Sequence, residues 1–372
     1  MRPRIAAFAF ICALSWSARG VSAHATECAG PVSPCINDDT LWPHAGPATF
    51  AAVGSTDTVA RGQLGFGLVT SYLSRPIVIQ VPAPGAGGSS QYAVNDQVNA
   101  TFLWSYGATD RLELDLALPL TFGQGGTGLQ PITGGSDLHD TAVRDLRFGL
   151  AYALVPHLRI DPDVSGDSAF GSRGTFGLSA RLEVSAPTGD HDQFASDGAG
   201  VFVPSVAADL RHARWSLGAE VGARVRPITQ LLGARIGTQI VTALGVGYDF
   251  LPRQLLTATL EAWALPSLTG DAANLDSVSP AEWQLSVRTA PIRGGDLALQ
   301  FGGGSAIPIG GSDPELTSPR FRFTVGVRWA PLSRDTDGDG ILDVTDRCPR
   351  TPAPGTPDGC PVATLPSPQE NP

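Results

Sequence analysis

Alternation of apolar and polar side chains begins at Gln63 and recurs in short segments as far as Trp329. The last segment is the clearest. Phe321, Phe323, Val325, Val327 and Trp329 share one face of an extended strand, and Arg320, Arg322, Thr324, Gly326 and Arg328 share the other. A period of two carried by β-branched and aromatic residues predicts an amphipathic strand. The same pattern places Leu64, Phe66 and Leu68 on one face, then Val98, Phe102 and Trp104, then Leu112, Leu114, Leu116 and Leu118. It continues through Phe148–Tyr152, Phe176–Val184, Val206–Leu210, Trp215–Val225, Ile240–Tyr248, Ala258–Ala262, Trp283–Val287 and Leu297–Phe301. About twelve strands are expected in all.

The polar faces of these strands are charged rather than merely hydrophilic. They carry Glu113, Asp115, Arg147, Arg181, Glu183, Asp209, Arg211, Glu220, Arg224, Glu261, Arg288, Arg322 and Arg328. Charges of both signs facing inward, with apolar residues outward, suit the wet lumen of a transmembrane barrel. These thirteen are the expected lumen-lining residues. Aromatic residues at segment ends (Tyr72, Tyr106, Trp215, Tyr248, Trp283 and Trp329) fall where interfacial girdles belong. Connections alternate in length. Gly107–Asp110, His212–Arg214, Asp249–Arg253 and Pro291–Gly295 are short, while the others are mostly longer and rich in Gly, Asp and Ser. Short periplasmic turns, long outer loops and an even strand count together predict an antiparallel up-and-down barrel with both termini in the periplasm. Val155–Gly174, a long segment where a short turn is expected, departs from the pattern.

Composition agrees with an all-β chain. There are 44 Gly and 31 Pro, with 16% charged and 7% aromatic residues, which disfavours a disordered chain and a helical bundle. Every basic residue is Arg, the formal net charge is −10, and no basic cluster occurs, so nucleic acid is not an expected partner. Residues 1–23 read as a signal peptide: Arg2 and Arg4, an apolar core from Ile5 to Leu14, and Val21-Ser22-Ala23 at the cleavage site. That core is too short to span a bilayer as a helix. Of the remaining cysteines, Cys28 and Cys35 form one local pair and Cys348 and Cys360 another, which in an exported chain argues for two small disulfide loops. Residues 24–60 read as a Pro/Gly-rich periplasmic lead-in holding the first loop, 61–331 as the outer-membrane barrel and 361–372 as a Pro-rich tail.

The segment 335–360 carries the most specific chemistry. Asp335, Asp337 and Asp339 at alternate positions offer converging hard oxygens, and Gly338 and Gly340 permit a sharp turn. Ile341 contributes a carbonyl, with Asp343 and Asp346 at the ninth and twelfth positions of a calcium loop. With the Cys348-Pro349 pair, these aspartates and glycines resemble a thrombospondin type 3 repeat. In bacteria such repeats commonly join an outer-membrane barrel to an OmpA-like peptidoglycan-binding domain. This sequence has a Pro-rich stretch beyond Cys360 instead, so tethering to the wall is not expected of it. Asp145-Leu-Arg-Phe-Gly-Leu-Ala-Tyr152 and Ala186-Pro-Thr-Gly189 resemble outer-membrane proteins of the phenol-degradation transporter type. That resemblance implies passage of small organic molecules.

An enzyme is not expected. The histidines His24, His44, His139, His157, His191 and His212 fall in leader, loop or turn positions, away from any candidate Ser nucleophile. The sequence therefore predicts a passive channel for small solutes in the outer membrane, contacting its lipid and carrying one periplasmic calcium (Ca2+) repeat. The alternative is a structural or adhesion protein whose barrel anchors the calcium module and displays loops, with a periplasmic or cell-wall partner.

Overall fold

In the computed structural model the arginine-rich last strand keeps its two faces apart. Phe321, Phe323, Val325, Val327 and Trp329 are 37–45% exposed on the outside, whereas Arg322, Thr324 and Arg328 are at most 7% exposed on the inside. The structure describes residue 28 and residues 30–361, except 82–88, 135–136, 158–174, 252–254, 271–278, 293–295, 309–315, 334 and 344. The expected signal peptide, nearly all of the Pro-rich tail and most of Val155–Gly174 lie outside these residues.

Twelve antiparallel strands form the barrel. They are β1 (Leu64–Val81), β2 (Ser89–Gly107), β3 (Leu112–Gly125), β4 (Arg147–Val155), β5 (Thr175–Ser185) and β6 (Val201–His212), followed by β7 (Trp215–Arg224), β8 (Gln239–Leu251), β9 (Leu256–Ala264), β10 (Ala281–Ile292), β11 (Leu297–Ala306) and β12 (Phe321–Trp329). Each pairs with its neighbours in sequence, and β1 closes the ring on β12 from Phe66↔Trp329 to Ser74↔Phe321. Closure gives every strand of the ring a partner on both sides, as a lipid environment requires. Outward positions are apolar around the ring: Phe66, Leu114, Phe148, Phe176, Leu217, Leu244, Leu260, Leu285 and Phe301 are 46–64% exposed. At the short-turn end Trp215 meets Tyr248 edge-on with ring centroids 4.8 Å apart, and Tyr248 meets Phe250 at 5.1 Å. These rings form part of an aromatic belt.

At the opposite mouth β1 and β2 extend well beyond the roughly 9–11 residues a tilted strand needs to cross a bilayer. Their ends bury Ile77, Ile79, Ala93 and Val94 with Ile36, Leu129, Phe194, Leu231 and Ile236. This apolar cap draws on the long loops. It includes a short helix (Gln130–Thr133), a 3-10 turn (His191–Gln193) and a hairpin pairing Thr229–Leu231 with Ala234–Ile236.

The lead-in of residues 24–60, expected to hang in the periplasm, is corrected by the structure: residues 32–59 run through the barrel. Val32 bridges to Leu231 at the long-loop mouth, and Val59 bridges to Leu332 at the short-turn mouth. Cys35, Ile36, Leu41, Trp42, Ala45, Phe50, Val53 and Val59 are all at most 8% exposed. Both expected disulfides are present, and they sit at opposite mouths. Cys28–Cys35 packs against Gly198 of the β5–β6 loop, and Cys348–Cys360 follows the exit from β12. The two described ends of the chain therefore lie at opposite mouths of the barrel, and not on one side as the even strand count predicts.

Candidate functional site

The lumen and the segment threaded through it form one polar unit. Pro34, Pro43 and Pro47 lack amide donors and the segment is interrupted by Gly46 and Gly54, so it cannot add a ladder to the sheet. Local side chains tie part of its backbone: Asn37 Oδ1 accepts from the Asp39 amide, and Asp39 Oδ1 from the Leu41 amide. The remaining buried amides and carbonyls need partners, since leaving one unmade costs about 1–3 kcal/mol. Loop residues supply some, with Ser33, Asn37 and Asp38 donating to Gln230 O, Asp197 Oδ1 and Phe194 O, and the barrel wall supplies others.

Glutamates of the wall accept from the threaded backbone. Glu261 receives the amides of Ala51 and Ala52 at 2.8 Å, Glu220 that of Gly54 at 2.6 Å, and Glu113 that of Val59 at 2.6 Å. Arginines of the wall donate to its carbonyls. Arg328 reaches His44 O at 2.9 Å, Arg147 reaches Pro43 O at 3.4 Å, Arg181 reaches Ser55 O at 3.4 Å and Arg224 reaches Thr40 O at 3.5 Å. Asp209 accepts from Thr56, and Asp115 pairs with Arg181 at 3.2 Å. Arg211 binds both Asp57 and Asp209, at 3.0 and 2.8 Å. Arg288 is buried on the same inner surface. All thirteen residues read from the sequence as lumen-lining face inward, and most touch the threaded segment rather than open water.

The charged side chains of the threaded segment complete the set. Arg322 of β12 is held between Asp39, at 2.8 Å, and Glu282 of β10, at 2.7 Å. Arg144, just before β4, pairs with Asp38 at 2.8 Å. His44 sits between Glu183 on Nδ1, at 3.1 Å, and Glu220 on Nε2, at 3.2 Å. Only the imidazolium can donate from both ring nitrogens. Trp42 lies between two guanidinium groups, Arg224 at 4.0 Å and Arg147 at 4.8 Å from its ring centre.

Shape complements charge at one point of the wall. Gly218 of β7 and Gly245 of β8 are register partners, and a side chain at either would come within 2.7 Å of the Phe50 ring. The glycine pair makes a notch for that ring. A cavity of about 30 Å³ remains beside Trp42, His44, Glu220, Arg224 and Trp263, room for a water or two. Arg144, Glu282, Asp38, Asp39 and His44 are absent from the sequence-derived set. Arg144 precedes the alternation of β4, Glu282 lies one residue ahead of the clear part of β10, and the other three belong to the aperiodic lead-in.

Beyond β12, Asp335, Asp337 and Asp339 bring carboxylate oxygens within 4.8 Å of one another. Asp335 accepts from the amides of Gly338 and Gly340, whose φ of 78° and 94° explain the glycines. Buried Asp337 Oδ2 and Asp346 Oδ2 have no hydrogen-bond partner. Asp343 is turned away, accepting from the amide and hydroxyl of Thr336, and Asp346 caps the Cys348 amide. The first three aspartates thus have the hard-oxygen chemistry a calcium ion takes, and a free carboxylate oxygen to offer it.

These features define a closed, lipid-facing β-barrel of the outer-membrane type with an internally occluded lumen. No protein-family model and no curated protein matches the chain. Among solved structures, it is similar to a COG4313 outer membrane channel from Pseudomonas putida F1 at 14% identity and a TM-score of 0.48, covering 74% of this chain and 98% of that one. It is also similar to the KdgM porin, at 7% identity and a TM-score of 0.38, over 72% of this chain and 98% of that one. The outer membrane channel DcaP of Acinetobacter baumannii gives 13% identity and a TM-score of 0.30, over 72% and 96%.

Proposed function

We propose that this chain is an outer-membrane channel for small solutes whose lumen is closed by its own amino-terminal segment. One observation carries the reading: residues 32–59 occupy the lumen of a twelve-stranded barrel without joining its sheet along that path. Barrels of about eight strands fill their interior with wall side chains, and those of about sixteen leave a channel. Here the wall leaves room for an entire extended chain. Between its two mouths mainly side-chain contacts hold that chain, and they can be exchanged for water without unzipping a strand. With the segment withdrawn, the wall carboxylates and guanidinium groups would line a narrow polar passage. The resulting class of solute is small and hydrophilic.

In the same reading the long loops face the cell surface and the residues after β12 face the periplasm, where Asp335, Asp337 and Asp339 hold calcium. The ion would supply the positive charge that three converging carboxylates lack. The observed occlusion also favours a second reading, a non-conducting anchor that carries the calcium module and displays its loops, with a periplasmic or cell-wall partner.

Planar-bilayer recording of the refolded mature chain, beside a variant lacking residues 32–58, separates the two. The channel reading expects rare openings in the complete chain and steady conductance steps in the deletion. A deletion variant that remains folded and heat-modifiable yet silent would establish the anchor.

A further inference from the structure

The base of the plug and the exit of the last strand are one structure. The Ala60 amide donates to Pro331 O at 2.8 Å, and Val59 and Leu332 form an antiparallel bridge. On the other side, the Gly62 amide donates to Gly107 O at 2.7 Å and the Gly107 amide to Gln63 O at 3.1 Å. Gly107 admits no side chain there, because a Cβ would lie 2.3 Å from Ala60 O and 2.4 Å from Val59 O. Residues 330–332 are fixed in turn by Asp296, whose carbonyl accepts from Ala330 at 2.7 Å and whose carboxylate accepts from the Leu332 amide at 3.2 Å. Val59, Ala330 and Leu332 are buried at this seam. Leu332 is three residues from Asp335, a reach of at most about 10 Å of chain.

We infer that the aspartate turn at 335–339 is a calcium-operated latch for the plug: divalent-cation binding there stabilises the Leu332–Val59 seam and keeps the base of the threaded segment in the lumen. The inference rests on the calcium reading given above. An acidic turn alone would not justify it. What adds weight is Asp337, 4% exposed, with Oδ2 unpartnered inside the cluster. Ordering the turn also removes freedom from the strand exit that holds Val59 and Ala60. A ligand that binds only the latched form shifts the opening equilibrium by the factor 1 + [L]/Kd, about tenfold at ten times Kd. The direction is fixed by linkage: whatever opens the seam must also weaken cation binding.

The test uses the complete mature chain in phosphatidylcholine vesicles, where no lipopolysaccharide competes for the ion, and the variant Asp337→Asn. Titration calorimetry with calcium measures binding, and hydrogen–deuterium exchange of the Val59 and Ala60 amides measures the seam. The latch expects calcium to slow exchange at both amides about tenfold in the natural chain and to leave Asp337→Asn unchanged. Calcium binding without any change at Val59 and Ala60 overturns the latch while leaving the calcium reading intact. An absence of calcium binding overturns both. Neither outcome bears on whether the barrel conducts, which the deletion variant reads independently.

Discussion

His44 joins plug and wall through a ring that must carry a proton to make both contacts. Its ring bridges Glu183 and Glu220, and Arg328 holds its carbonyl. A neutral ring donates from one nitrogen only and would turn a lone pair toward the other carboxylate. A group that must be protonated to dock contributes to docking at low pH, and that contribution fades once the pH is high enough to remove the proton. The clasp is therefore complete at acid pH and weakens as the ring loses its proton. Bilayer recordings of the complete chain should show opening frequency increasing between pH 7 and pH 10. His44→Ala should open more often at pH 7 and show little further change over the same range. Equal pH profiles for the two proteins would remove His44 from the control of the plug.

At the scale of elements, the strands were legible and the plug was not, for a physical reason. A strand in a barrel has two environments, lipid and lumen, and its sequence must alternate between them. That alternation places Arg322 and Arg328 inside and Phe321 and Trp329 outside from the residues alone. The plug has one environment on every side, so Leu41, Trp42, Phe50 and Val53 are buried at no fixed interval. Its partners are also remote: Arg322 meets the Thr40 hydroxyl across 282 positions. A retrospective signal exists in Asp38-Asp39, an acidic pair in a Pro-rich segment of a chain whose strands present arginines inward. The converging aspartates at 335–339 were readable because their arrangement is local, although Asp343 and Asp346 take other partners in the structure. The outer face of the strands gives a direct test. Leu244, near the middle of β8 and 64% exposed, should meet acyl chains, whereas Trp215 opens β7 in the aromatic belt. Leu244→Arg is expected to destabilise the folded barrel by about 2–4 kcal/mol and Trp215→Arg by about 0–1 kcal/mol from the charge alone. Denaturant unfolding from lipid vesicles measures both. Equal costs would mean that Leu244 does not lie at the bilayer midplane.

For the molecule as a whole, the threaded segment changes what the strand count implies about topology. An even number of strands returns the two ends of the barrel to one side, and here Leu64 and Trp329 do lie together at the short-turn mouth. The chain preceding Leu64 then re-enters the lumen and reaches the far mouth, where Cys28–Cys35 is tucked against Gly198. Parity governs the strands and leaves the ends of the chain free to separate. The long loops and the apolar cap accompany Cys28–Cys35, while Cys348–Cys360 lies beyond the strand exit at the opposite mouth. If the long loops face outward, an epitope placed immediately before Cys28 should bind antibody on intact cells. One inserted at exposed Gly355 should bind only after the outer membrane is permeabilised. Accessibility of both on intact cells, or of neither, would contradict the threaded arrangement in the membrane. The same labelling repeated on the His44→Ala variant asks whether loosening the clasp withdraws the amino-terminal end from the surface. A threaded plug released at His44 but still held at the capped mouth predicts that it does not, because the Val32–Leu231 bridge and the packing of Ile36 in the apolar cap are independent of the clasp.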